Sequence, residues 1–319
     1  MGEESSDGAG GGFGGSGGAI AMNGSGGDGL GGGMDGGGGD GIHLSPIECD
    51  ANGRAGQCEN FDDCVGDVVA PVAGKCPGPA WLQCCAPIDP ACDPEATPLP
   101  NYDVTEPPGE GGCLPGMLRV DDFCIDAWEA ALVRYPDFGP VTPYFNPGSE
   151  EVIAVSAPGL VPQGYIDQIQ ASDACTNAGK RLCTDTEWLR ACEGPSGYTY
   201  PYGDAREPGV CNDARAVHPA VEYFMTTDPW IYSEIDHPCL NQLADGLDRT
   251  GDNPGCVTEE GAFDMMGNLH EWTADPNGTF RGGFYVDTVL NGNGCHYVTT
   301  AHDVSHFDYS TGFRCCAEL

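Results

Sequence analysis

Eighteen cysteines set the terms on which this chain can fold. Six of them, Cys49, Cys58, Cys64, Cys76, Cys84 and Cys85, fall within 37 residues. That segment is too short to bury a core of its own, so cross-links must supply its stability, each worth roughly 2–4 kcal/mol. Zinc is the competing use of dense cysteine, but no C-x2-C pair occurs there and the adjacent Cys84 and Cys85 point poorly at one metal. The reading is therefore disulfides and an oxidising compartment. An even count lets every cysteine pair.

Charge removes a second class of function. Asp and Glu number 49 against 12 Lys and Arg, a formal charge of −37. Such a surface repels a phosphate backbone, so no nucleic-acid partner is expected. No run of 18 apolar residues occurs, so no membrane span is expected either.

Glycine marks the first boundary. Of the first 41 residues 21 are Gly, with almost no apolar surface to offset the entropy of ordering them. Residues 1–45 read as a disordered, low-complexity spacer. No basic n-region or apolar h-region is visible before it, although the cysteines ask for export. The spacer is then expected to act as a lipoprotein-like tether, holding secreted domains off a cell surface or in the periplasm. Residues 46–92 form the small disulfide-rich module, and residues 93–112 a Pro-, Gly- and acid-rich linker. The module's cysteine order, ending in CPGPAWLQCC, resembles clip-type and knottin-like secreted modules. That resemblance implies the pairs Cys49–Cys84, Cys58–Cys76 and Cys64–Cys85.

The rest of the chain, 113–319, is written in short elements separated by Gly and Pro, which predicts an α+β domain with a high loop fraction. FCIDAWEAALV reads as a strand turning into a short helix. Ser172–Ala178 has helical spacing, ended by Gly179 with Lys180 and Arg181 at the C-terminus. Thr184-Asp185-Thr186-Glu187 is a capping box, opening a second helix that stops at Gly194. Beyond Pro195 loop and short strand are expected.

The strings AGKRLCTDTEW (178–188), YPYGD (200–204), GAFDMMGNLHEWTAD (261–275), RGG (281–283) and GFRC (312–315) resemble, in order and spacing, the formylglycine-generating enzyme (sulfatase-modifying factor) family. The resemblance implies a distorted C-type-lectin-like fold with little regular secondary structure, stapled by disulfides. It also implies Cys175 paired with Cys315 (or its neighbour Cys316) and Cys192 paired with Cys295. Three further pairs are inferred: Cys113–Cys124 and Cys239–Cys256 from closeness in sequence, and Cys183–Cys211. Cys92 and Cys316 are left without assigned partners.

Family enzymes bind copper(I) through two Cys after the RGG strand and use O2 to oxidise a sulfatase Cys to formylglycine. Counted from Arg281, those positions hold Asp287 and Gly292. Neither offers the soft thiolate that Cu(I) selects, so copper is not expected and no catalytic residue is assigned. Calcium, a hard cation that takes oxygen ligands, is the cofactor expected. The resemblance places it at Asp264, Gly267, Leu269 and Glu271, and at Asn212, Asp213, Asp245 and Leu247. His270, His302 and His306 are an alternative metal set by residue type.

The function expected is that of a secreted or surface-tethered, non-catalytic domain that binds a protein, peptide or glycan. The alternative is a metal- and O2-dependent oxidoreductase of the formylglycine-generating type, or a divergent relative.

Overall fold

Asp167 and Thr184 open the first two helices by the same exchange of hydrogen bonds. Asp167 accepts from the Gln170 N–H at 2.8 Å while the Gln170 side chain accepts from the Asp167 N–H at 3.2 Å, starting α1 (Gln168–Asn177). Thr184 and Glu187 do likewise for α2 (Asp185–Glu193). The first box stands one turn before the stretch read as helical, and α1 starts there. Gly179 at φ +74° follows the end of α1. Lys180, expected to serve that helix end, instead turns its ammonium into the interior. A third short helix, α3 (Pro219–Phe224), lies in a region expected to be loop, and the His218 ring caps it by accepting from the Ala220 N–H.

The computed structural model describes residues 47–51, 54–60, 63–64, 69–72, 75–79, 81–87 and 92–319. The Gly-rich spacer expected at 1–45 lies outside them. Residues 46–319 form one compact unit. Its first part is an antiparallel sheet of β1 (Glu48–Ala51), β2 (Arg54–Asn60), β3 (Val69–Val72) and β4 (Leu82–Pro87), in the order β1-β2-β4-β3. Its core is small: Val72, Cys84 and Ala86, against which Met225, just beyond α3, packs.

The larger part carries β5 (Met117–Val120), β6 (Phe123–Asp126), β7 (Ala131–Arg134), β8 (Val152–Val155) and β9 (Arg181–Leu182). Later come β10 (His270–Trp272), β11 (Phe280–Arg281), β12 (Val298–Thr299), β13 (Thr311–Phe313) and β14 (Cys315–Glu318). They assemble as β5-β6-β14-β9, as β12-β11-β10-β13 with β10 and β13 parallel, and as the hairpin β7-β8. FCIDAWEAALV therefore forms two strands, not a strand and a helix. The Ala130 N–H is claimed by the Phe313 carbonyl and Ala131–Arg134 by β8, which a helix would forbid.

Trp272, Phe313, Ile166 and Leu132 make one buried cluster between α1 and the strands, and Trp188, Ile125 and Met265 make a second beneath α2. Burying aromatic rings of this size supplies most of the local cohesion.

All 18 cysteines are paired. The structure contains Cys49–Cys84, Cys58–Cys76, Cys64–Cys85, Cys113–Cys124, Cys175–Cys315 and Cys192–Cys295. The remaining three bonds correct the sequence reading. Cys183 bonds Cys316, not Cys211, because β9 lies antiparallel beside β14 and ends next to it. Cys211 bonds Cys256, in a cluster with Tyr200 and Met266. Cys239 bonds Cys92 across 147 residues, not the nearby Cys256, and so ties the segment after β4 to the domain. Closeness in sequence was the wrong guide where tertiary pairing decides.

Candidate functional site

The chain leaves β11 through Gly282 and Gly283, at φ +84° and +71°. A Cβ on Gly282 would meet the Trp188 ring at 3.1 Å, and one on Gly283 would meet the Asp287 carbonyl at 2.3 Å, so both positions need glycine. Arg281 is fixed by a two-pronged bond to Asp185, at 2.5 and 2.8 Å. Phe284 and Asp287 then exchange both backbone hydrogen bonds and close a tight turn.

Asp287 is wholly used in that turn. One carboxylate oxygen accepts from the N–H groups of Val289 and Leu290, at 3.0 and 3.2 Å, and the other accepts from the Tyr297 hydroxyl at 3.0 Å. Burial, with the Asp287 charge behind it, pushes the Tyr297 hydroxyl up, so it stays a proton donor. Gly292 sits at φ +121°, with only 2.3 Å between an added Cβ and the His296 carbonyl. A thiol at 292 would need the backbone to move. Cys295, the nearest sulfur, is locked to Cys192. Together these positions do not fit a two-thiolate copper centre.

Beside the turn, aromatic and histidine rings form a continuous layer. His270 is 6% exposed, its Nδ1 has no hydrogen-bond partner, and it packs on Phe280, Phe284 and Tyr297 at 4.6, 4.8 and 5.5 Å. Burial holds it neutral, pulling its pKa down to about 4. His302 packs on the same Phe280 ring at 4.7 Å and on His306 at 4.9 Å, and burial lowers it too. His306 bonds Asp308 at 3.0 Å, which raises the imidazole. For Asp308, burial pulls upward, but His306 and Ser310 outweigh it and the carboxyl is lowered.

The nitrogens of His270, His302 and His306 do not gather around one point: no such group occurs among the described residues. The metal set expected of them is thus not assembled, because Phe280 packs against both His270 and His302. The sulfurs of Cys49, Cys58 and Cys76 do lie together, but all three are oxidised in disulfides and carry no thiolate.

The acidic loops are different in kind. Asp264 is 3% exposed, at φ +56°, and accepts from the Gly251 N–H at 2.8 Å. Glu271 accepts from Arg314 twice, each at 2.6 Å, and from the Trp188 indole at 2.6 Å. Glu129 accepts from the Asn268 amide at 2.5 Å and the Leu269 N–H at 3.0 Å. Three buried carboxylates therefore face one buried guanidinium. Burial, with neighbouring acids adding to it, raises Glu129 well above its ordinary value, and burial pushes Asp264 up to about 7. Gly267, at φ +80°, lets this loop approach the Asn212 carbonyl, where a Cβ would stand 2.2 Å away.

The Asn268 N–H donates to the same Asn212 carbonyl, and the Asn212 amide donates to Gly246 and Asn268, so the two acidic loops are joined. Of the other set, Asp213 is consumed by Arg206 and the Gly209 N–H, at 2.6 and 3.0 Å. Asn212 and the exposed Asp245, at φ +55°, line a cleft of about 280 Å³ shared with Asp248 and Asn253, and Leu247 is half-buried nearby. Sequence reasoning missed Glu129 and Asp248. For Glu129 the signal was an acid standing alone in the apolar run AWEAALV.

A profile of the sulfatase-modifying factor enzyme 1-like domain matches residues 142–319. No curated protein matches the chain. Among solved structures it is similar to PvdO from Pseudomonas aeruginosa, at 14% identity over 62% of this chain and 80% of that one, with a TM-score of 0.37. It is similar to the Major Tropism Determinant I1 variant at 12% identity, 83% and 63% coverage and a TM-score of 0.38. For CarF the values are 15%, 62% and 86%, and 0.35.

Proposed function

The chain belongs to the sulfatase-modifying factor enzyme 1-like domain family, and from that premise we propose that it is a non-catalytic, ligand-binding member displayed outside the reducing cytosol. The turn at Asp287 and Gly292 carries this reading. An oxidase of the formylglycine-generating type needs two soft ligands there. This chain has instead an aspartate spent on capping its own turn and a glycine with no room for a side chain.

The surface around the turn suits binding. Val289 and Leu290 are exposed at 41% and 83%. Phe284 leads through Tyr309 and His218, ring to ring, to the half-exposed Tyr232. Loops held on a stapled core are where recognition is ordinarily built, and a peptide, protein or glycan ligand is the class proposed. Eighteen paired cysteines support an extracellular, surface or periplasmic setting, with residues 1–45 as the tether.

Calcium fits the acidic loops by charge. Asp264, with the Gly267 and Leu269 carbonyls, would hold one ion; Glu271, its oxygens already on Arg314 and Trp188, and Glu129 would add charge that Arg314 alone does not balance. At the second site Asn212, Asp245 and Leu247 would serve, with Asp248 in the place of the occupied Asp213. A bound ion supplies fixed positive charge and loop rigidity there.

The deciding experiment measures tightly bound metal in protein purified without added ions, then assays O2-dependent oxidation of a Cys-x-Pro-x-Arg peptide. Calcium without turnover is expected. Bound copper with aldehyde formation would overturn the proposal.

A further inference from the structure

Lys180 is the only lysine among the ion pairs of the described residues, and like Arg314 it is buried against carboxylates. Its side chain is 2% exposed, and its Nζ stands 2.8 Å from Asp126 Oδ1 and 3.0 Å from Glu106 Oε1. Asp126 is fully buried on β6, and Glu106 arrives from the linker before β5, its side chain 22% exposed. Gly116 admits Glu106: at φ +75°, an added Cβ would stand 2.7 Å from the Glu106 oxygen. The same oxygen also accepts from the Ser156 N–H at 2.9 Å, and the second oxygen of Asp126 accepts from the Cys315 N–H at 2.9 Å. An amine, a carboxyl group and a second acid touching that amine are thus held together out of water, in fixed orientation.

We propose that Lys180 and Asp126 condense into an isopeptide bond, with Glu106 carrying the proton. The Lys180 ammonium first passes one proton to Asp126 along their hydrogen bond, giving a neutral amine and a neutral carboxylic acid. The amine lone pair attacks Asp126 Cγ and forms the N–C bond. Glu106 takes the second Nζ proton from the adduct and returns it to the departing hydroxyl. The C–O bond breaks, water leaves and the amide keeps one N–H. Three protons and two oxygens enter, and one N–H, one C=O and one water come out, so no oxidant or external reagent is needed.

Burial favours the neutral forms. Taking a charged pair out of water is costly, and condensation removes both charges. Burial raises the Asp126 pKa, the direction the acid needs; in Lys180 burial pulls down but the two carboxylates hold it up, so the first proton transfer is the demanding step. Effective concentration supplies the rest, since both reacting groups are already in contact. The product would join β6 to the segment entering β9 by a link that reducing agents do not cut.

Intact-mass spectrometry of the full chain, after complete reduction and alkylation of its 18 cysteines, is the test. The mass is expected to fall one water short of the sequence. Trypsin is expected to leave the bond after Lys180 uncut and to release a peptide joined to the one holding Asp126. Glu106→Gln, which keeps a hydrogen-bonding side chain, is expected at full mass. Lys180→Arg keeps the charge but cannot condense, and is also expected at full mass. Wild-type protein at full mass, with cleavage after Lys180, overturns the proposal. So does a water loss that persists in Lys180→Arg, because it would arise elsewhere. A loss that persists in Glu106→Gln overturns the part given to Glu106.

Discussion

The turn at Asp287–Gly292 and the acid cluster of Glu129, Asp264 and Glu271 accommodate their carboxylates in opposite ways. At the turn, both oxygens of Asp287 accept from the chain's own N–H and O–H groups. In the cluster, three buried carboxylates share one guanidinium. A satisfied turn has no use for an ion, whereas an excess of buried negative charge is costly until a cation or protons neutralise it. The difference teaches that surplus buried charge, more than residue identity, marks where an ion is needed.

The comparison can be broken from its cluster side first. Glu271→Ala leaves Arg314 without its two-pronged partner in the interior, and is expected to cost about 3–5 kcal/mol, read from urea unfolding. A loss below about 1 kcal/mol would mean that Glu129 and Asp264 already suffice for Arg314. Next comes calcium itself. At a hundredfold excess over its dissociation constant it is expected to add about 2.7 kcal/mol, seen as a rise in Tm that a chelator reverses.

Proton competition sharpens that prediction. The folded pKa of Asp264, about 7, lies above the ordinary 3.8, so the folded state binds the proton more tightly than the unfolded chain. This contribution to stability is fully present below about pH 4 and is lost as pH rises through about 7. Without calcium, Tm should therefore fall over that window. With calcium the fall should be offset near pH 8 and least affected near pH 5, because the protonated acid is a poor ligand. Asp264→Asn should flatten the ion-free profile.

On the turn side the effects are smaller. Gly292→Cys places a side chain at φ +121° against the His296 carbonyl and is expected to cost about 1–3 kcal/mol. Combined with Asp287→Cys it should still fail to bind Cu(I) with a spectroscopic thiolate signature. Copper binding by that double variant would show that the turn had kept its metal geometry. Asp287→Ala alone should cost about 1 kcal/mol, the ordinary value of a capping bond, with no change in metal content.

Legibility in the sequence followed the range of the interaction. The α2 capping box, the Gly179 stop and the absence of cysteine at 287 and 292 could be read directly, because each depends on residues within a few positions. The Asp167 box was equally local, yet the helix was read as starting one turn later. The second half of FCIDAWEAALV failed for a different reason: β8 and Phe313, which pair with it, lie about 20 and more than 180 residues away.

The sequence by itself determined that the cysteines would be oxidised, that the fold would be a stapled α+β domain of this family, and that no cysteine stands at 287 or 292. Composition and motif spacing carry that information, since it concerns which groups are present. Only the tertiary structure decided which groups meet. It sent Cys183 to Cys316 and Cys239 to Cys92, kept the nitrogens of His270, His302 and His306 from meeting at one point, and brought Glu129 to Asp264 and Glu106 to Lys180. Hydrogen-bond and Coulomb energies fall away over a few ångströms, and separation along the chain says little about separation in space.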